Sequence, residues 1–194
     1  MHNDNSKTTE IFKDLSFTKK ETEIIESVFR KATYKKGTQL LQVNDSADIQ
    51  YYVQEGCLRL YHIDRNGKDH TVQFAIKDWW ICDCTAFFTE SKAIMNIEVI
   101  SDSMVYEISK KDRDLLYNQS PKTESFFRKK LERAFASFQK RMLGNLSLPA
   151  KERYLNFVKT YPNIEKSVKN YHIASFLGIT TESLSRIRKE LSNS

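Results

Sequence analysis

Apolar positions near the start of the chain recur at the spacing of an α-helix. Ile25, Val28 and Phe29 fall on one helical face. Thr18 precedes them, and Glu21 follows it by three positions, which is the pattern of a capping box. The sequence therefore predicts a helix that begins after Thr18 and buries one apolar face.

The middle of the chain changes to an alternation of apolar and polar residues, which is typical of strands. Residues 52–63 alternate, Asn66-Gly67 follows as a turn, and residues 71–76 resume the alternation. Asn-Gly between alternating segments predicts a β-hairpin. Two further short strands are predicted over 96–100 and 104–108. Short strands at this spacing indicate a compact antiparallel sandwich or barrel.

A long helix is predicted from about Pro121 to Leu143. Its apolar residues step by four, three, four and four, which is the spacing of a coiled-coil seam. The seam residues are Phe127, Leu131, Ala134, Phe138 and Met142. Two interpretations stay open: the stripe packs on the chain's own β-domain, or it forms a dimer interface. Phe126 and Phe135 add enough apolar surface to serve both.

The last zone begins near Ser147, a candidate N-cap for a helix that Tyr161-Pro162 ends. A helix-turn-helix pattern follows. Gly178 lies where a sharp turn favours a positive φ, and Thr180 can cap the second helix. The buried faces of the two helices are predicted to be Ile173, Phe176 and Leu177, then Leu184, Ile187 and Leu191.

The exposed face of the second helix carries side chains that can contact DNA. Arg can pair with guanine, Glu can accept from cytosine, and Ser or Thr near the helix start can bind phosphates. The candidate DNA-binding residues are Thr180, Thr181, Glu182, Ser183, Ser185, Arg186, Arg188 and Lys189. The competing interpretation is an ordinary helical hairpin with a solvated, charged face.

Composition and charge support the DNA-binding interpretation. The 194 residues are 40% hydrophobic and 12% aromatic, enough to build a packed core, and the formal net charge is +6. From Ser147 onward, eight basic residues stand against four acidic ones. This excess suits a polyanionic partner such as double-stranded DNA.

A predicted β-roll, a long helix and a C-terminal helix-turn-helix, in that order, resemble the Crp/Fnr family of bacterial transcription regulators. Glu182 and Arg186 match the family's base-reading Glu and second Arg, whereas Thr181 stands where the family has its first recognition Arg. The resemblance implies an α+β protein with a cyclic-nucleotide-binding-like β-roll (residues 1–120), a long dimerisation helix (121–145) and a winged helix-turn-helix (146–194). It also implies a homodimer that binds a near-palindromic site.

The resemblance also bears on the effector. Family members of the cyclic-AMP type hold the nucleotide phosphate with a Gly-Glu pair and, about ten residues on, an Arg-Ser step. Cys82-Asp83 and Ala93-Ile94 stand at these positions. Without the arginine the phosphate has no bidentate counter-ion, and Asp83 would repel it. We therefore expect no binding of cyclic AMP in the usual way, and the effector stays unknown.

The aromatic residues of the β-roll are compatible with two interpretations equally well. They line a pocket for another small-molecule effector, or they fill the interior with their own side chains. The candidate pocket residues are Phe74, Trp79, Trp80, Cys82, Asp83, Ala93 and Ile94. For Cys82 and Cys84, a role as small structural residues of the core is favoured over a redox or metal site. The alternative function is an effector-sensing or redox-sensing module whose C-terminal helices dock a protein partner.

Other classes of function find no support in the sequence. The four histidines lack metal-site spacing, and no catalytic constellation is present, so we expect neither a metal nor an enzyme. The sequence predicts a cytoplasmic protein for three reasons. It has an odd count of three cysteines, its apolar runs are shorter than a membrane span, and residues 1–5 lack the pattern of a signal peptide. Activation of transcription would require contact with RNA polymerase, and the sequence leaves that partner open.

Overall fold

The computed structural model describes residues 7–162 and 164–193; residues 1–5, examined above for a signal peptide, lie outside them. An antiparallel sheet is followed by helices, which confirms the α+β class. The helices are α1 (Lys7–Ile11), α2 (Lys19–Val28), α3 (Cys84–Thr89), α4 (Lys110–Gln119), α5 (Pro121–Ser147), α6 (Ala150–Thr160), α7 (Asn170–Leu177) and α8 (Thr181–Ser192), with a 3₁₀ turn at Ile164–Lys166. The strands are β1 (Arg30–Tyr34), β2 (Gln39–Leu41), β3 (Ile49–Ile63), β4 (Asp69–Ala75), β5 (Trp80–Ile81) and β6 (Asn96–Ser109).

The chain divides into two compact units. The first holds the residues up to Leu60 together with Phe74–Leu131, and it contains most of the sheet. The second holds Tyr61–Gln73, which is the tip of the β3–β4 hairpin, together with the residues from Glu132 onward.

The predicted capping box at the start of α2 is confirmed. The Thr18 hydroxyl accepts a hydrogen bond from the Glu21 backbone N–H at 3.3 Å, and the Glu21 carboxylate accepts one from the Thr18 N–H at 2.8 Å. Lys122 also donates to this carboxylate, and these bonds lower the pKa of Glu21 to about 2.

The sheet has the strand order β1-β6-β3-β4, with β2 on β6 and β5 on β3. The prediction of two short strands over 96–100 and 104–108 is wrong, because β6 is one continuous strand. β2 pairs with its first half and β1 with its second half, from Ser103 to Glu107, so hydrogen bonds hold both halves extended. Gly56 lies so close to β6 that a Cβ there would approach Ser103 Oγ to 2.2 Å.

The β3–β4 hairpin forms as predicted. Gly67 has a φ of 77°, and its N–H donates to the Asp64 carbonyl at 3.0 Å. Asp64 closes the turn through its own N–H, which donates to the Lys68 carbonyl at 2.9 Å. Gly67 is thus the residue that makes the tight turn sterically easy.

An aromatic cluster anchors the start of α5 in the first unit. Phe127 packs against Trp80 with ring centroids 4.8 Å apart and against Phe12 at 6.0 Å. Phe12 and Phe29, which lie on either side of α2, belong to the same buried cluster. Burial of these rings supplies the apolar area that holds the helices on the sheet.

Beyond Phe127, α5 leaves the core. Every residue from 131 to 140 is exposed, including the large apolar ones. α5 also continues through Ser147, whose hydroxyl donates to the Leu143 carbonyl at 2.7 Å, so the prediction of Ser147 as an N-cap is wrong. The next helix starts after Pro149, whose side chain has no hydrogen-bond acceptor and so provides no cap.

No strand follows β6 in the part of the chain that the structure describes, so the expected wing is not seen. The nine residues between α6 and α7 hold a 3₁₀ turn, which leaves too little chain for two paired strands and their turn. Within the same described ranges, no helix is long and apolar enough to cross a membrane.

Candidate functional site

The turn between α7 and α8 has the geometry that the sequence predicts. Gly178 is left-handed, with φ 63° and ψ 38°, and its N–H donates to the Ser175 carbonyl at 3.1 Å. The Ile179 N–H returns to the Ala174 carbonyl at 3.0 Å. Thr180 then caps α8, and its hydroxyl accepts from the Ser183 N–H at 3.2 Å. These bonds satisfy the backbone groups that the end of one helix and the start of the next leave free.

The two helices pack on α6 around a small aromatic core. The Phe176 ring lies 5.4 Å from that of Phe157 and 5.7 Å from that of Tyr161. The predicted buried faces of α7 and α8 are inside, with Ile173 and Leu184 fully buried. Leu191, predicted to be buried, is only partly so.

This packing fixes which side chains of α8 face solvent. Four of the predicted DNA-binding residues are exposed on α8, spaced by three, one and three: Glu182, Ser185, Arg186 and Lys189. Thr180, also predicted, is exposed at the cap position, while Thr181 and Ser183 are partly buried. The structure therefore gathers most of the predicted set on one open surface.

Glu182 is held as an anion. Hydrogen bonds from its own backbone N–H and from the hydroxyls of Thr180 and Thr181 lower its pKa. Its carboxylate is thus a hydrogen-bond acceptor at neutral pH, placed in the first turn of α8.

Arg188 differs from the other predicted contacts because it is bonded within its own domain. Its guanidinium donates to the Asn170 side-chain oxygen at 2.6 Å, to a Glu165 carboxylate oxygen at 2.9 Å and to the Tyr154 hydroxyl at 3.2 Å. These three bonds tie α8 to α6, to the start of α7 and to the 3₁₀ turn before it. Local sequence patterns do not predict these bonds, because the partners lie 18 to 34 positions away.

The tip of the β3–β4 hairpin packs against α7 within the second unit. The Ser175 hydroxyl accepts from the Thr71 N–H and donates to the Asp69 carbonyl, both at 2.9 Å. Arg141 of α5 donates to the Val72 carbonyl at 2.6 Å and lies 4.6 Å from the centre of the Phe176 ring. Sequence reasoning missed both residues, since neither has a local pattern that marks a long-range contact.

In the first unit, Asp83 is the predicted effector-pocket residue with the most hydrogen bonds to neighbouring backbone. Its side chain is fully buried, and it caps α3 by accepting from the Ala86 N–H at 3.2 Å. The other carboxylate oxygen accepts from the N–H groups of Ile94 at 2.8 Å and Met95 at 3.1 Å. Asp83 therefore joins the strand-to-helix turn to the segment that stands where the family has its Arg-Ser step.

The structure brings only part of the predicted pocket together. Cys82, Asp83, Ala93 and Ile94 meet at this joint, and Ile94 is half exposed. Trp80 contributes instead to the aromatic cluster around Phe127. No group of three or more His, Cys, Asp or Glu side chains that could hold a metal occurs among the residues that the structure describes.

Comparison with known proteins agrees with this architecture. Residues 31–120 match the profile of the cyclic nucleotide-binding domain. The chain superposes on FixK2 from Bradyrhizobium japonicum with a TM-score of 0.74 at 16% identity, covering 86% of this chain and 85% of that one. A structure from Eubacterium rectale, described as a regulator of the crp/fnr family, gives 0.69 at 17% identity, covering 94% and 86%. This chain has the Crp/Fnr regulator fold.

A sequence relative points the same way. The anaerobic regulatory protein of Bacillus subtilis strain 168 is 26% identical over 98 residues, which are 50% of this chain. The match spans only 41% of that relative.

Proposed function

We propose that this protein is a sequence-specific, DNA-binding transcription regulator that works as a homodimer in the cytoplasm. The observation that carries the proposal is the exposed face of α8. Glu182, Ser185, Arg186 and Lys189 lie on one open surface, and buried Leu184 and Ile187 fix its orientation. A second helix of this kind fits the major groove of DNA.

The chemistry of this face matches base edges and phosphates. Arg186 can donate two hydrogen bonds to guanine O6 and N7, and the Glu182 carboxylate can accept from cytosine N4. Lys189 is an exposed point charge suited to a phosphate, and Ser185 can serve either partner. Arg188 is a weaker contact candidate than the sequence suggested, because DNA would have to compete with three existing bonds.

A second copy of the chain is the partner that we propose for α5. Leu131, Phe135, Phe138 and Met142 are 42–59% exposed and step by four, three and four, which is the spacing of a two-helix seam. Apolar side chains of this size in a continuous stripe mark an interaction surface. Of the predicted seam, Phe127 lies in the first unit's own core, and Ala134 is exposed beside the stripe.

The cyclic-nucleotide pocket of this chain is, in our proposal, degenerate. Asp83 already supplies an anion to the N–H groups of Ile94 and Met95. A nucleotide phosphate placed there would meet a buried carboxylate and no arginine at Ala93-Ile94. DNA binding should therefore need no cyclic AMP.

Selection of fragments from genomic DNA with the purified protein, without added ligand, tests the proposal. Enrichment of a near-palindrome with half-sites about one helical turn apart, roughly 10 base pairs, is the expected result. If binding is absent both with and without cell extract, the proposed function is wrong and a protein-docking role for α7 and α8 is favoured.

Variants then separate the roles on the selected site. Arg186→Ala should cost about 1–3 kcal/mol on that site and little on random DNA. Lys189→Ala should weaken both equally and reduce the salt dependence by about one counterion. Equal losses on specific and random DNA for Arg186→Ala would contradict its role in reading a base.

A further inference from the structure

The strand-to-helix turn around Asp83 holds two thiols at close range. Cys82 follows β5 and is buried, whereas Cys84 opens α3 and is exposed. Their sulfur atoms lie 3.3 Å apart. Cys57, the third cysteine of the chain, is buried elsewhere in β3, where its thiol contacts the Leu58 carbonyl at 3.7 Å.

The two sulfurs are chemically unequal. A hydrogen bond from the Cys82 thiol lowers the pKa of Cys84, and the same bond together with burial raises the pKa of Cys82. A 3.5 Å hydrogen bond from the buried Gln50 amide to Cys82 Sγ acts in the opposite direction, and the pKa of Cys82 stays raised overall. Cys84 is thus the exposed residue of the pair and the one whose thiol loses its proton more readily, whereas Cys82 is a buried thiol that holds its proton more strongly.

We propose that Cys82 and Cys84 form a redox-active dithiol that a peroxide converts to an intrachain disulfide. This inference is independent of the proposed DNA binding. The Cys84 thiolate attacks one peroxide oxygen, which breaks the O–O bond and leaves a sulfenic acid; the hydroxide released takes up the proton that Cys84 lost on ionisation and becomes water. Cys82 then attacks the Cys84 sulfur, the S–S bond forms and water leaves. Overall, two thiols and one hydrogen peroxide give one disulfide and two waters.

The arrangement favours the second step. Once Cys84 is a sulfenic acid, its negative charge is gone, and one cause of the raised pKa of Cys82 goes with it. The sulfurs need to approach by about 1.3 Å to reach the S–S bond length of ~2.0 Å. Attack by the adjacent Cys82 is therefore expected to be faster than further oxidation of Cys84 by peroxide.

Closing the disulfide acts on Asp83, which lies between the two cysteines. The backbone of Asp83 has φ −74° and ψ 87°, and its carboxylate bonds three N–H groups from two segments. Bringing the flanking sulfurs together changes those torsions and so moves the carboxylate. The oxidised protein should hold Ile94 and Met95 less firmly than the reduced one.

Thiol counting tests the chemistry. The folded protein is treated with hydrogen peroxide, then denatured and alkylated, and its intact mass is measured. Wild type should fall from three alkylatable thiols to one within a single chain, and Cys57→Ser from two to none. Cys84→Ser, a change at an exposed position, should keep both of its thiols. Cys82→Ser should leave a sulfenic acid on Cys84 that dimedone traps.

Three results would overturn the proposal. These results are wild type with all three thiols intact, wild type with Cys84 oxidised to a sulfinic acid, and wild type with a disulfide that joins two chains. Hydrogen exchange provides the structural readout: the amides of Ile94 and Met95 should exchange faster after oxidation of wild type and return to the original rate with dithiothreitol. Unchanged exchange in a chain shown to carry the disulfide would refute the predicted movement of Asp83.

Discussion

Replacing Asp83 by alanine is the most informative single perturbation of the first unit. The carboxylate accepts from the Ala86 N–H within α3 and from the N–H groups of Ile94 and Met95 in a separate segment. Asp83→Ala removes the two carboxylate oxygens that accept these three bonds and leaves the apolar core around them intact. The expected effect is a large loss of stability from a change of only a few atoms.

The magnitude follows from the three lost bonds. Loss of a helix N-cap costs about 1 kcal/mol. Each buried N–H left without an acceptor costs about 1–3 kcal/mol, and the lower half of that range applies because half-exposed Ile94 admits some water. The free energy of unfolding of Asp83→Ala should therefore fall by about 3–5 kcal/mol. Asp83→Asn, which keeps one acceptor oxygen, should lose about half as much.

Urea unfolding, followed by the fluorescence of Trp79 and Trp80, provides the assay, because both rings lie in the same unit as Asp83. Ser109→Ala is the matched control. The Ser109 hydroxyl caps α4 by accepting from the Asp112 N–H at 3.0 Å, and among the residues that the structure describes it accepts from no N–H of a distant segment. The control should lose only about 1 kcal/mol. If Asp83→Ala loses no more than Ser109→Ala, the joint between the two segments contributes nothing to stability and our reasoning is refuted.

Three further predictions concern other parts of the chain. Arg188→Ala should lower the free energy of unfolding of the second unit by about 1–3 kcal/mol through its three lost bonds, measured by urea unfolding. Phe138→Asp should weaken self-association in sedimentation velocity, whereas Gln139→Asp, one position off the stripe, should not. In Glu21→Gln, the free energy of unfolding should decrease less steeply than in the wild type between about pH 4.5 and pH 2. Lys122 lowers the pKa of this carboxylate in the folded state to about 2, so the stabilisation that Glu21 provides is present above pH 4.5 and is lost as the pH falls toward 2. The measurement is the urea midpoint at a series of acid pH values, and an equally steep pH dependence in the variant and the wild type would contradict the prediction.

Local signals in the sequence were enough to predict several parts of the fold. Thr18 with Glu21, Asn66-Gly67, and Gly178 with Thr180 each specify a turn or cap within a few residues of themselves. Such features depend on backbone torsions and short-range hydrogen bonds, which nearby residue types determine. The helix-turn-helix was predictable for the same reason, since its turn chemistry and its apolar spacing agree.

Features that depend on distant partners were not predictable in this way. β6 is one strand because β1 and β2 pair along it, and neither partner is visible in its own sequence. Arg188 looked like a DNA contact because its charge and position fit. Only the fold reveals that Glu165 and Asn170 already bind it. A charged residue on a candidate interface must therefore be checked for partners in the fold before it is assigned to a ligand.

The joint around Asp83 shows how a side chain of the chain itself can bind the backbone amides at this place. An aspartate is one methylene shorter than the glutamate that the family resemblance leads one to expect, so its carboxylate stays close to its own backbone. There it caps α3 and reaches Ile94 and Met95, where a longer side chain would extend past them. The absence of arginine at positions 93 and 94 and the presence of Asp83 both support our proposal that the nucleotide pocket is degenerate. Amides that a ligand's phosphate could otherwise approach are bound by a carboxylate of the chain itself, and that carboxylate lies between two thiols that an oxidant can join.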